Sequence, residues 1–459
     1  MSHEIRASWF PVQRAGPRTR RLLTILLAVA ALTPIGLRES RALPSFARQT
    51  GQQCAACHNG FPELTPYGRL FKLNGYTFTG GKSELPPLAV MVVSSFTNTK
   101  AGQPGGAAPG YGVNDNFALD AVSVFYAGRI APNLGAFIQT TYDGIGKRYS
   151  WDNTDIRYAD TTILMGDELV FGVSLNNNPT VTDVWNSTPA WGYPYVASGL
   201  APSPAAATLI EGGLSAEVAG ANVYGYWNRL LYAEVGLYKT LSPRTQTTLG
   251  IDPTGSSSIK GIAPYWRLAV EPQWGPNSLE AGVFGMAATL NPGRITGFGT
   301  DHAVDVGFDT QYQYLSDINS VSLQASWISE NQTLTASEAL GDAANSHNHL
   351  HSLHAKTTYY YDQTYGASLG YFRVDGSTDA ILYGDGSANS SPNSAGLTVE
   401  LNYLPFNHGG PAFWPWLNVK FGLQYTAYQK FDGGTTNYDG AGHDASDNNT
   451  LYLYAWLAF

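Results

Sequence analysis

The chain has 459 residues, 13% of them charged, with 50 Gly, 28 Tyr and a formal net charge of −9. That acidic balance excludes nucleic acid as a partner. Beyond the first forty or so residues, no stretch approaches the roughly 18 consecutive apolar residues of a helical membrane span.

The first element is a basic segment with Arg14, Arg18, Arg20 and Arg21, followed by an apolar run from Leu22 to Leu32. Ser40-Arg41-Ala42 then places small residues where a signal peptidase reads. This pattern predicts a secretory signal over residues 1–42, outside the fold. Its apolar run is too short to cross a bilayer, and Pro34 and Gly36 interrupt it. Without residues 1–42 the chain loses seven Arg and two acidic residues, and its net charge becomes −14. Exported, rich in Gly and Tyr and sparse in charge, it has the composition of an outer-membrane β-barrel.

Residues 43–87 form a second segment around Cys54-Ala55-Ala56-Cys57-His58, which holds both cysteines of the chain. C-x-x-C-H is the attachment pattern of a c-type haem. Residues three apart on a helical turn share a face, so both thiols can bond the vinyl groups on one porphyrin edge. His58 follows at once and can swing under the ring as the proximal iron ligand. A zinc site would need further ligands nearby, and no other Cys exists. A redox Cys pair would have no use for His58. The prediction is therefore one covalent haem c on Cys54 and Cys57, which leaves no disulfide to support the fold.

A short helix follows, with Thr65 as cap, Pro66 at its first position and Gly75 at its end. Leu64, Tyr67, Leu70 and Phe71 fall on one face, suited to covering a haem. About 45 residues are too few for an autonomous domain. The segment must borrow walls from the rest of the chain.

From residue 88 the periodicity is two, and sixteen strand-like runs can be read over residues 88–459. They begin near Leu88, Asn116, Leu134, Thr154, Glu168, Leu214, Leu230, Ile262, Ser278, His302, Ser320, His349, Gly366, Gly396, Trp416 and Asn449. Most are near ten residues, the length that crosses a bilayer at a tilt. Their connections alternate between short turns, such as 131–133 and 362–364, and long loops, such as 177–212 and 375–393. That asymmetry is the mark of an outer-membrane barrel with short periplasmic turns; a soluble sandwich or propeller lacks it. The fold class expected is thus an all-β outer-membrane barrel of about 16 antiparallel strands with a small α-helical haem segment at its N-terminus. By parity the haem segment hangs from the periplasmic rim, and a sixteen-stranded lumen is wide enough for it to enter. In the last strand Leu451, Leu453, Ala455, Leu457 and Phe459 share one apolar, outward-capable face.

Phe46-Ala47-Arg48-Gln49-Thr50-Gly51, the haem motif, Leu64-Thr65-Pro66-Tyr67-Gly68-Arg69, Phe71-Lys72 and Gly75-Tyr76-Thr77 form one block. It resembles the fused monohaem cytochrome c–porins of iron-oxidising bacteria, closely over 43–82 and in architecture alone over 88–459. The resemblance implies electron transfer from an extracellular donor, Fe(II), across the outer membrane to a periplasmic cytochrome or similar carrier. Such a protein acts in effect as an iron oxidase.

Further candidates follow from position. Met91 shares a strand face with Ala89, Val93 and Ser95; if that face is the lumen, its sulfur is a candidate second axial ligand. His354, on a face with Ser352, Lys356 and Thr358, is the alternative. His347, His349 and His351 alternate onto the other face, near a long loop, where metal binding is conceivable. Met165 and Met286 are weaker ligand candidates. Arg48, Arg69 and Lys72 are candidate partners of the haem propionates. Trp227, Trp274, Trp414 and Trp416 lie beside inferred periplasmic turns and read as a membrane-interface girdle. Beside electron transfer stands a second reading, a porin whose lumen carries a haem plug or sensor. A haem enzyme would need an acid–base residue beside an open iron position, and the sequence identifies no such pair.

Overall fold

Alternation of apolar and polar side chains has one consequence in this chain: strands with an oily outside and a polar inside. The computed structural model describes residues 44–80, 86–409 and 417–459. The expected export signal lies outside the described residues, as do Trp414 and Trp416. Among the described residues no helix is long and apolar enough to cross a membrane.

Three short helices come first: α1 (Pro44–Thr50), α2 (Cys54–Cys57) and α3 (Pro66–Leu73). Sixteen strands follow. They are β1 (Leu88–Thr99), β2 (Asn116–Ala131), β3 (Leu134–Asp143), β4 (Arg148–Leu164), β5 (Asp167–Asn176), β6 (Val218–Trp227) and β7 (Leu231–Thr240). β8 is interrupted, with pieces Ser258–Ile259, Ala263–Val270 and Gln273–Trp274 that all pair with the next strand. Then come β9 (Asn277–Asn291), β10 (Asp301–Leu315), β11 (Asn319–Thr333), β12 (His347–Tyr361) and β13 (Tyr365–Gly376). β14 (Ser394–Tyr403), β15 (Asn418–Lys430) and β16 (Thr450–Ala458) complete the set. Each strand pairs antiparallel with the next, and β1 pairs with β16, Met91 opposite Ala458. The sheet is a closed barrel, so no edge is left for another chain.

The outward face is apolar. Leu231, Val235 and Leu237 of β7, Leu268 of β8 and Phe308 of β10 are all exposed. In β16 the outward set is Leu451, Leu453, Ala455 and Leu457, and Tyr452, Tyr454 and Trp456 turn inward and are buried. An apolar belt on a closed barrel defines an outer-membrane β-barrel of the porin type. Tight hairpins close one end. At Met165-Gly166 both residues have positive φ, 56° and 93°, the geometry of a two-residue turn matched to strand twist.

Strand number and most starts agree with the periodicity. Two starts move. β4 begins at Arg148, earlier than Thr154, and runs for 17 residues, well beyond the length that alternation suggests. β6 begins at Val218, not Leu214, because residues 177–217 do something alternation does not encode.

That connection folds into the lumen. Thr97 of β1 is hydrogen-bonded to its Ser198, and Asp183 in the loop pairs with Arg267 of β8 at 3.0 Å. Its Leu209 amide donates to Glu330 of β11, and Tyr428 of β15 donates to its Pro202 carbonyl. Residues 44–80 enter too. Gln49 accepts from the Arg129 amide of β2, and Tyr76 donates to Asp155 of β4. Glu63 pairs with Lys356 of β12, and Lys420 of β15 donates to the Phe61 carbonyl. Partners on opposite walls put the segment inside the barrel. Its contacts with Gln363, Asn407 and His408 place it toward the short-turn end. Gln311, Gln313, Ser322, Glu234 and Arg267 would face water in an open pore, and here all are buried.

Candidate haem site

α2 is one helical turn, which sets Cys54 and Cys57 on a common side, both buried. The Cys54 sulfur accepts from Asn418 Nδ2 of β15 at 3.1 Å. His58 leaves the turn with extended backbone, its amide bonded to the Cys54 carbonyl at 2.8 Å. α3 is built as its sequence suggests. Thr65 accepts from the Gly68 amide as cap, Pro66 opens the helix and Gly75 follows its end at φ 65°. The Thr65 hydroxyl also donates to the Ala56 carbonyl at 2.6 Å, tying helix to haem motif.

His58 Nδ1 lies 3.0 Å from the Pro62 carbonyl. That contact makes Nδ1 the protonated nitrogen, the usual way a ligand histidine is oriented so that Nε2 is the ligating atom. Burial pulls the imidazole down to about 4, against the opposing hydrogen bonds to the Pro62 and Glu63 backbone. At neutral pH it is therefore uncharged, the form that binds iron.

Cys57 and His58 open onto a cavity of about 280 Å³, just below the roughly 300–1,000 Å³ range for cofactor sites. Three parts of the chain wall it. Phe46, Phe61 and Phe71 come from the helical segment, Phe125, Phe137 and Trp456 from the barrel, and Asn186, Trp191 and Tyr195 from the inward loop. Met91 also lines it. β1 turns Ala89, Met91, Val93 and Ser95 to the lumen, and a register shift between Val93 and Ser94 falls two residues beyond the thioether. Cys57, His58 and Met91 in one aromatic-walled cavity, with Cys54 buried on the same helical turn, form a donor set that fits a c-type haem.

The other candidates separate. His354 faces the lumen as its parity implies but lines a different cavity, paired with Glu211 at 3.2 Å. Arg69 is committed to the barrel wall: Glu271 at 2.7 Å, Gln311 and Gln313 at 2.8 Å, Ser278 at 3.0 Å. Arg48 donates to the Leu88 carbonyl at 2.6 Å. Of the three cations, Lys72 alone lines the cavity. It donates to the Val181 and Asp183 carbonyls, both at 2.7 Å, beneath the Trp191 ring. Burial, with Arg157 beside it, pulls it down to about 7. Met286 packs in a separate core cluster, and Met165 sits exposed at its turn. His347, His349 and His351 lie on the outer face; His351 stacks on Trp327. Among the described residues no group of three or more His, Cys, Asp or Glu is arranged to hold a metal ion. Trp274 is half exposed beside the β8–β9 turn, and Trp227, at the end of β6, donates to the Leu164 carbonyl at the end of β4.

Sequence reasoning missed the inward loop's share of the wall. A signal was present: Trp185, Trp191, Tyr193 and Tyr195 crowd into a stretch otherwise read simply as a long loop.

No family model and no curated protein matches this chain. Several solved structures are similar in outline. The anion-selective porin of Comamonas acidovorans is 10% identical over 81% of this chain and 98% of its own, with a TM-score of 0.43. The outer membrane channel DcaP of Acinetobacter baumannii is 13% identical over 81% and 96%, TM-score 0.43. OmpT, an outer membrane protein of Vibrio cholerae, is 11% identical over 81% and 96%, TM-score 0.39. At those values the likeness says nothing of function.

Proposed function

We propose that this chain is an outer-membrane electron-transfer protein with one haem c, covalently held by Cys54 and Cys57, inside the barrel. One observation carries the reading: Cys57 and His58 of the C-x-x-C-H turn and Met91 of β1 line a single lumenal cavity. When bound there, the haem supplies one-electron chemistry in a site walled from water by the barrel and the inward loop. His58 offers Nε2, oriented by the Pro62 carbonyl, and Met91 is the second ligand in preference to His354. The hydrocarbon core is about 30 Å thick, and a haem in the lumen divides that span. With short turns on the periplasmic side, the helical segment faces the periplasm, where a cytochrome or similar carrier takes the electron. The donor, by the resemblance of residues 43–82, is extracellular Fe(II). Residues 1–42 serve as the export signal.

The second reading, a porin or channel with a haem plug or sensor, is favoured by the porin-type barrel itself. The test has two parts. Full-length protein should show covalent haem staining on a denaturing gel, lost in Cys54→Ala with Cys57→Ala; retained covalent haem refutes the assignment. Met91→Leu should lower the reduction potential, since a Met ligand raises it. An unchanged potential in spectroelectrochemistry removes Met91 from the iron.

A further inference from the structure

A second cavity of about 260 Å³ lies behind the haem cavity, on the other side of the inward loop. Asn186 and Gly192 line both. Tyr193 faces the second cavity and Tyr195 the first, their ring centroids 5.9 Å apart. Residues 186–195 of the loop therefore contribute to the walls of both spaces.

The second cavity has its own chemistry. His354 Nε2 stands 3.2 Å from Glu211 Oε1, with the His354 side chain 40% exposed. Glu211 is held rigidly. Its Oε1 also accepts from the Ser352 hydroxyl, and its other oxygen accepts the Thr208 amide and hydroxyl at 2.9 and 3.0 Å. Burial pushes the Glu211 carboxyl up, but His354, Ser352 and Thr208 outweigh it and keep it below the usual carboxylate range. Lys356 also lines this cavity, yet its charge is matched by Glu63 at 2.7 Å, and its ammonium donates to the Tyr195 hydroxyl at 2.7 Å. That leaves Glu211 and His354, in contact with each other, as the remaining carboxylate and imidazole of this cavity.

We propose that Glu211 and His354 form a weak binding site for a hydrated divalent first-row transition-metal cation. Imidazole and carboxylate are the ligand pair such ions accept. Two protein ligands leave the remaining positions to water, which suits a cation that must arrive and leave. The binding site stands on this geometry alone; the cation's role as electron donor rests on the electron-transfer reading.

The test uses full-length protein in detergent and Mn²⁺, whose free signal is read by room-temperature electron paramagnetic resonance. Wild type should remove one Mn²⁺ per chain from the free pool. Glu211→Gln and His354→Gln should each weaken that binding ten-fold or more and keep heat-modifiable gel migration. Both replacements preserve a hydrogen-bonding side chain, and His354 is half exposed, so the fold tolerates them. No Mn²⁺ bound by wild type, or equal binding by all three proteins, overturns the site. Haem reduction by Fe(II) is followed in parallel. If Mn²⁺ binding is lost in the variants but Fe(II) reduces none of the proteins, the cation site stands and the electron-transfer reading falls. If Fe(II) reduces wild type and both variants at one rate, with no Mn²⁺ site, the electron-transfer reading stands and the cation site falls.

Discussion

At the scale of single residues, Gly68 sets how closely α3 can approach the haem motif. A Cβ there would sit 2.2 Å from the Cys57 carbonyl oxygen. That neighbour is backbone of the turn that carries both thiols, so it cannot swing away. Gly68→Ala should therefore push α3 off the motif, with an overpacking cost of roughly 1–3 kcal/mol. The expected outcome is severalfold less haem attached per folded barrel, read by haem stain against total protein on a gel. Wild-type loading in the variant would show that helix and motif need not touch. Thr65, Pro66 and Gly75 were legible in the sequence because capping is local chemistry. The roles of Arg69 and Lys72 were not. Both were propionate candidates on equal terms, and their partners, Glu271 and the Val181 carbonyl, lie far away in the chain. Which cation reaches the cavity is a property of the assembled lumen.

At the scale of elements, strands were legible because each has one lipid face and one lumen face, so alternation is enforced along its whole length. Loops carry no such constraint, and the inward course of residues 177–217 depends on partners from β1 to β15. Two of the long loops share an anchor instead. Asp379, buried between the β11–β12 and β13–β14 connections, accepts the Ala344, Asn345, Ile381 and Leu382 amides at 2.9 to 3.0 Å. Burial pushes this carboxyl up, but those four amides outweigh burial and hold it well below the usual range. A depressed folded pKa means the anchor's contribution is complete above the unfolded value of about 3.9 and is lost only as pH falls through the lower folded value. Wild-type loops should therefore resist proteolysis equally at neutral pH and near pH 4. Asp379→Ala should be nicked within 334–346 or 377–393 at both. Nicking of wild type already at pH 5 would mean that Asp379 does not anchor these loops.

At the scale of the whole molecule, the question is whether this barrel passes solutes or only electrons. A lumen of sixteen strands is ordinarily an aqueous channel. Here two segments occupy it. Residues 44–80 reach walls from β2 to β15, and the inward loop packs against them through Lys72, Glu63 and Leu64. Arg267 shows how close the packing is: it is fully buried between Asp183, Glu280 and Asp309, with the Trp185 ring over it. A guanidinium caged by three carboxylates does not line an ion path. In planar bilayers the intact protein should conduct roughly ten-fold or more below an open sixteen-stranded porin. Replacing residues 181–214 with a short Gly-Ser linker removes one of the two fillings. It should raise the conductance, and it should let added imidazole reach a haem that is protected in wild type. Porin-level conductance from the intact protein would make solute passage the barrel's main work, with the haem a plug or sensor. Low conductance that opens on loop removal, together with a shielded haem, leaves the barrel as insulation around an electron carrier.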